Sequence, residues 1–201
     1  MADSTGTQGT GTYQLGPESG RVLVRTGREG LAARAGHDLT LEITDWLAQV
    51  TTPGEAGGGV AEATVTADLG LGSLTVREGT GGAKPLTDRD RREIQKQAHK
   101  ILGDAARADF TSHQITLSPA SSAGSPAAGV IAGTLTMHGV SRGIRLEVTS
   151  QGPGRYLGTT TIKQTDFGIT PYSGFFGALK LRDEVTVEFE VTIEGLQNGG
   201  A

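Results

Sequence analysis

Apolar and polar residues alternate with a period of two along most of this chain. The clearest run is DEVTVEFEVTIE, residues 183–194, in which Phe189 and four aliphatic residues share one face. Successive side chains of a β-strand point to opposite faces, so this run predicts a half-buried strand with an acidic, solvated outer face. Residues 129–137, with Leu135 and Met137 inward, and residues 144–148 repeat the pattern.

A change of phase marks one long strand near the N-terminus. Leu39, Leu41 and Ile43 share a face, and the apolar row then continues at Trp46, Ala48 and Val50. A shift of one residue inside a strand is typical of a β-bulge, which bends the strand and favours closure of a barrel. The next inward row, at residues 61, 63, 65, 67 and 69, contains three alanines and therefore fills little volume.

Residues 87–103, TDRDRREIQKQAHKILG, predict a single amphipathic helix. Thr87 can serve as the N-cap with Asp90 three residues later, and Gly103 can stop the helix. Acidic residues lie in the first turns and basic residues near the end, as the helix dipole favours. A narrow apolar stripe includes Ile94 and Ile101, so we expect the helix to lie across one face or one mouth of the sheet.

The pattern predicts an all-β fold with about eight antiparallel strands and one helix. Such strands form either a sandwich or an eight-stranded antiparallel barrel, and a barrel interior is filled by side chains or holds one small ligand. The inward rows are small, and the whole chain has only nine aromatic residues (Phe 5, Tyr 3, Trp 1). This composition favours a barrel with a ligand cavity, although a flattened sandwich would also absorb small residues.

The domain boundaries follow from composition. Residues 1–11 and 196–201 are small and polar, and we expect both to be disordered tails around a single domain, residues 12–195. Residues 51–59 and 118–129 are rich in Gly, Pro, Ser and Ala without periodicity, so they are expected to close hairpins.

Charge and composition exclude several classes of function. A net charge of -4 argues against a nucleic-acid partner, and the absence of cysteine excludes disulfides and thiolate chemistry. The sequence shows no signal-peptide core and no apolar run long enough for an integral membrane segment. We therefore expect a soluble, cytoplasmic protein, and the sequence leaves a homodimer open.

Candidate chemistry is sparse. None of the four histidines pairs with another at metal-ligand spacing, so no metal site is expected, and no nucleotide-binding or nucleophile-elbow motif is present. Two polar clusters remain: His37 with Asp38 after a glycine turn, and His138 with Arg142 in LTMHGVSRGIRLEV, residues 135–148. We expect each cluster either to stabilise a turn or to contact a ligand headgroup near a rim of the barrel. The turn of the second cluster is expected to contain Gly139 and Gly143.

Residues 162–181, IKQTDFGITPYSGFFGALKL, hold four of the eight Phe and Tyr residues of the chain. Apolar aromatic residues in a loop between strands either plug the end of a barrel or line the entrance to its pocket.

Five stretches, in this order, resemble the YceI family of lipocalin-like, polyisoprenoid-binding proteins: YQLGPESGRVLVRT, AGHDLTLEITDW, ADFTSHQITL, LTMHGVSRGIRLEV and TIKQTDFGI. The resemblance implies an eight-stranded antiparallel lipocalin-like barrel that holds a long apolar ligand, an isoprenoid quinone or polyprenyl phosphate, without catalysis. No cofactor other than such a bound lipid is implied. The residues then expected to contact the ligand are Trp46, Leu135, Met137, Ile162, Phe167, Ile169, Phe175, Phe176, Leu179 and Phe189.

Two other functions compete with this one. The barrel could be filled and the Phe-rich loop could serve as a protein-docking patch, which exposed apolar loops often mark. Alternatively, His37, Asp38 or His138 could take part in an enzyme, for example a hydrolase.

Overall fold

The structure is a computed structural model that describes residues 11–53, 62–103, 106–118 and 127–194. The tails and most of the two hairpin loops expected above lie outside these residues, except that Gly11 already belongs to the first strand. The elements are β1 (Gly11–Leu15), β2 (Gly20–Glu29), β3 (Asp38–Ile43), β4 (Trp46–Thr52), β5 (Thr64–Gly70), β6 (Leu74–Thr80), α1 (Asp88–Leu102), β7 (Arg107–Ser118), β8 (Ala128–Met137), β9 (Val140–Gly152), β10 (Arg155–Lys163), β11 (Ser173–Gly174) and β12 (Leu179–Thr192).

Three of the barrel strands are bent, and each bend divides one strand into two segments. The segments β1 and β2, β3 and β4, and β5 and β6 each form one bent strand. The pairing supports this description: β1 pairs with β4 and β2 with β3. In the same way, β4 pairs with β5 and β3 with β6. From β5 the antiparallel pairing runs through β7, β8, β9, β10 and β12 and returns to β2. The described residues thus form the predicted eight-stranded barrel, with β11 as a short addition to β12.

The predicted phase shift coincides with one of these bends. β3 ends at Ile43 and β4 begins at Trp46. The Ser73 hydroxyl accepts hydrogen bonds from the backbone N–H groups of Thr44 (3.0 Å) and Asp45 (2.8 Å) and donates to the Gly70 carbonyl (2.7 Å). One side chain therefore holds the bends of two neighbouring strands together.

The helix has the predicted caps and covers an open stretch of the wall. Thr87 and Asp90 form a reciprocal capping box, and Gly103 follows the last turn at a φ of 85°. Among the described residues β6 pairs only with β3, and Arg91 donates from its guanidinium to the backbone carbonyls of Val76 (3.0 Å) and Arg77 (2.8 Å) on β6. Ile94, Ile101 and Leu102 pack against the barrel core. No helix in the described part of the chain is long and apolar enough to span a membrane.

The outer face of β12 is acidic, as predicted, but it is paired rather than simply solvated. Glu190 lies between Arg21 (2.7 Å) and Arg155 (2.6 Å), and Glu188 contacts Arg25 (2.8 Å). The two guanidinium groups hold the pKa of the Glu190 carboxyl below its ordinary value. Because these pairs are exposed to solvent, they contribute little to stability.

Candidate functional site

The inward face of the barrel is apolar, and its side chains differ in burial. One end of the barrel contains the connection from β2 to β3, the connection from β8 to β9, and residues 164–178 after β10, and it is called the plugged end. The inward side chains at this end are buried. Away from that end Leu15, Val22, Ile115, Val191 and Ile193 are also buried on the inward face. Other inward side chains, from most of the strands, are only half-buried: Val24, Ala48, Val50, Val65, Ala67, Ile131, Ile144, Leu146, Ile162, Val187 and Phe189.

Two aromatic rings lie along the wall rather than across the interior. A Cβ atom on Gly158 would stand 2.0 Å from the Phe189 ring, which belongs to its register partner on β12. A Cβ atom on Gly133 would stand 2.5 Å from the Phe110 ring in the same way. The gap that Gly133 leaves in the inward row of β8 is therefore covered by Phe110. Both glycines let a ring lie flat on the neighbouring strand.

The wall has a seam between β9 and β10. The pairing of these strands runs from Gly152 and Arg155 only as far as Glu147 and Thr159, so the first half of β9 and the last part of β10 do not pair in the described structure. Ile144 and Leu146 border this seam from β9, and Ile162 borders it from β10. The short 3-10 turn Gln164–Phe167 that follows β10 lies against β9 beside this seam.

Phe167 and Ile169 form the plug at the end of this seam. They follow β10 in a short 3-10 turn, Gln164–Phe167, and keep 1% and 4% of their accessible surface. The Asp183 carboxylate holds this turn: it accepts from the Thr165 backbone N–H (2.9 Å) and from the Thr165 hydroxyl (2.6 Å). These hydrogen bonds lower the pKa of the Asp183 carboxyl.

The structure divides the predicted ligand-contact residues into three groups. Trp46, Leu135, Met137, Phe167, Ile169 and Leu179 are buried toward the plugged end, while Ile162 and Phe189 are half-buried. Phe175 and Phe176, in contrast, are exposed on a turn outside the barrel, at 66% and 112% of their reference surface. The expected plug is thus formed by Phe167 and Ile169, and the position expected for Phe175 and Phe176 is corrected.

His37 and Asp38 are engaged by protein groups. The His37 Nε2 atom lies 2.7 Å from the Lys84 carbonyl oxygen. Asp38 accepts from the Arg28 backbone N–H at 2.8 Å and pairs with the Arg28 guanidinium at 3.6 Å. Both contacts stabilise the turn between β2 and β3, and they occupy the polar atoms that a headgroup would use.

The hairpin of residues 135–148 is tighter than predicted. Its turn consists of His138 and Gly139, with φ values of 53° and 73°, as a two-residue hairpin with a type I′ turn requires. Gly143 belongs to β9, and Arg142 pairs with Leu135 instead of lying in the turn. Directly opposed residues share a face, so Arg142 stands on the inward side at the rim, exposed, while His138 projects from the turn.

The periodicity did not identify one polar group of the interior. Thr26 lies on the inward face of β2 between Leu39 and Val185, is 8% exposed, and its hydroxyl has no hydrogen-bond partner in the described structure. A threonine in VLVRT fits an ordinary strand, so only the burial of the side chain distinguishes it.

These features define a lipocalin-like barrel with an apolar interior, one plugged end and a seam in its wall. The model of the YceI-like domain matches residues 59–193, and the chain belongs to this family, which is a family of binding domains. No curated protein matches the sequence.

Two solved structures align with this one at low sequence identity. The crystal structure of BcnA from Burkholderia cenocepacia aligns with a TM-score of 0.57 at 19% identity, over 86% of this chain and 94% of that chain. The structure of a polyisoprenoid binding domain from Saccharophagus degradans, implicated in plant cell wall breakdown, aligns with a TM-score of 0.49 at 14% identity, over 90% of this chain and 95% of that chain.

Proposed function

We propose that this protein binds a long apolar molecule of the polyisoprenoid class inside the barrel and carries or sequesters it without chemical conversion. The observation that carries the proposal is the group of inward apolar side chains, contributed by most of the strands, that remain half-buried among buried ones. Well-packed interiors bury such side chains almost completely, so partial burial on an inward face is what an interior with unfilled space would show.

The composition of opposite walls supports this interpretation. β5 and β10 lie four strands apart in the ring of eight, so their inward rows face each other across the interior. β5 contributes Val65 and Ala67, and β10 contributes Thr160 beside the larger Tyr156 and Ile162, while the Phe189 ring covers Gly158. The small side chains Val65, Ala67 and Thr160 leave room for a chain, and each methylene group of that chain removed from water contributes about 0.8 kcal/mol. A few isoprene units therefore offset the entropy lost on binding.

Polar contacts at the plugged end would select the headgroup. The Thr26 hydroxyl is buried on the inward face, and Arg142 stands on the inward side of the rim. A phosphate would favour Arg142, whereas a quinone carbonyl or an alcohol could accept from Thr26.

Native mass spectrometry after mild purification, with extraction and identification of bound lipid, tests the proposal. Ala67→Phe introduces a ring into the interior from β5, and Thr66→Phe places the same ring on the outer face of the same strand as a control. We expect Ala67→Phe to lower the retained lipid by tenfold or more, and Thr66→Phe to leave it unchanged. Thermal unfolding of both variants verifies that each is folded.

The competing function is a protein-interaction module with a filled barrel. The exposure of Phe175 and Phe176 favours it. If no lipid copurifies and a fluorescent apolar probe binds neither the wild type nor the Thr66→Phe variant, the carrier proposal is wrong and the interaction module replaces it.

A further inference from the structure

Two neighbouring turns at the plugged end carry the three most exposed large apolar side chains of the described structure. Leu31, between β2 and β3, is 101% exposed, and Phe175 and Phe176, between β11 and β12, are 66% and 112% exposed. The turns are joined because the Ala32 backbone N–H donates to the Ala178 carbonyl at 2.8 Å. Leu31, Phe175 and Phe176 are called the apolar tip below.

The backbone of the tip holds both rings in water at a conformational cost. Phe175 and Phe176 have φ values of 50° and 55°, in the left-handed region that aromatic residues rarely adopt. The turn is closed by the Ala178 N–H, which donates to the Phe175 carbonyl at 3.1 Å. Strain and exposure both oppose folding, and at such exposure the Phe176 ring gains almost no packing within the chain.

Two exposed cations lie next to the tip. Arg34 follows Leu31 by three residues, and Lys180 follows the turn of Phe175 and Phe176, where its stem lies beside Gly177 and its cross-strand partner is Glu29. Apolar side chains flanked by exposed cations match an anionic surface with an apolar layer beneath it.

We propose that the apolar tip docks this protein onto an anionic lipid bilayer, with Leu31, Phe175 and Phe176 inserted at the interface and Arg34 and Lys180 facing the headgroups. A bilayer is favoured over a second copy of the chain because the tip is formed by three side chains on projecting turns. A stable protein interface buries at least about 1,200 Å² and needs a matching surface, whereas a bilayer deforms around inserted rings. Docking goes beyond cargo binding and does not depend on it.

Cosedimentation with vesicles tests this proposal without any cargo. The probes are vesicles of phosphatidylcholine with 30 mol% phosphatidylglycerol (about one anionic lipid in three) and vesicles of phosphatidylcholine alone. We expect the wild type to prefer the anionic vesicles, less so at high salt because the Debye length shortens. The double variant Phe175→Asn/Phe176→Asn removes both rings and introduces residues that tolerate positive φ. We expect it to bind the anionic vesicles more weakly than the wild type, by on the order of tenfold or more.

Two further variants separate the causes. Leu157→Thr removes an exposed apolar side chain (39%) from the outer wall of β10 and should leave vesicle binding unchanged. Arg34→Gln/Lys180→Gln keeps the rings and should remove most of the preference for anionic vesicles. Binding of an apolar probe in solution should be unaffected by all these changes, so a failure of docking is distinguishable from a failure of the carrier proposal.

Three results would overturn the proposal: wild-type protein that does not sediment with either vesicle, asparagine variants that bind as the wild type does, or a wild-type dimer that the asparagine variants convert to a monomer. The last result would assign the apolar tip to self-association.

Discussion

Phe167 and Phe176 are nine positions apart in one loop and lie in opposite environments. Phe167 keeps 1% of its accessible surface and closes the barrel, whereas Phe176 is fully exposed. The difference arises in the backbone. Asp183 ties the turn before Phe167 to β12, and Gly168 at a φ of 73° then redirects the chain, while Phe176 sits at the tip of a tight hairpin that points away from the barrel. Aromatic density alone does not tell these two roles apart.

Removal of the buried ring should have the largest effect. Phe167→Ala deletes a side chain that is enclosed by the core, so it should lower the free energy of unfolding by about 3–5 kcal/mol. Chemical denaturation monitored by circular dichroism measures this change. Phe176→Ala is the matched control, and an equal loss in both variants would contradict the division of the loop into plug and tip.

The glycine after the plug should show an intermediate effect. Gly168 has a φ of 73°, and a Cβ atom there would meet nothing within 4 Å. Gly168→Ala therefore introduces backbone strain without a clash and should cost about 1–2 kcal/mol. If the same assay shows no loss, the direction of the chain after Phe167 does not depend on this left-handed residue.

Acid should loosen the plug through Asp183. Hydrogen bonds from Thr165 hold the pKa of this carboxyl below its ordinary value of 3.8, so the ionised form stabilises the folded turn. That stabilisation is present above the ordinary pKa and is lost as the pH falls through the lowered pKa of the folded state. We expect the amide of Thr165 to lose protection from hydrogen exchange, measured by NMR, only in acid below about pH 4.

Asp183→Asn should reduce the protection of Thr165 already at neutral pH, since a neutral amide accepts more weakly than a carboxylate. Glu184→Gln, which changes the adjacent exposed carboxyl, is the control. Equal protection in all three proteins would contradict the role of Asp183 in holding the plug.

The smallest expected effect has the opposite sign. Phe176→Asn replaces an exposed aromatic residue at a φ of 55° with a residue that adopts this conformation more readily. The free energy of unfolding should stay equal or rise by up to about 1 kcal/mol. A clear loss of stability would mean that the ring packs within the chain after all.

The alternation of apolar and polar residues and the capping signals predicted the strands and the helix well, because both depend on residues close together in the chain. The alternation in residues 183–194 predicted the inward row of β12, and the phase shift after Ile43 marked the bend between β3 and β4. The caps of α1 were predicted at Thr87, Asp90 and Gly103 for the same reason, since capping depends on residues within one turn of the helix.

The hairpin of residues 135–148 shows where local pattern reaches its limit. Both Gly139 and Gly143 fit a turn, and only the pairing of Leu135 with Arg142 decides that the turn has two residues. A turn that spanned Gly139 to Gly143 would keep Arg142 out of β9, whereas the observed two-residue turn places Arg142 opposite Leu135, on the inward side of the rim.

The sequence by itself determined the fold class, the position of the helix and the family, because these depend on periodicity, capping and the order of motifs. Only the tertiary structure decided which aromatic residues face the interior, that Phe110 and Phe189 lie flat on Gly133 and Gly158, and that β9 and β10 separate. Those features depend on contacts between residues distant in the chain, and neither composition nor spacing records such contacts.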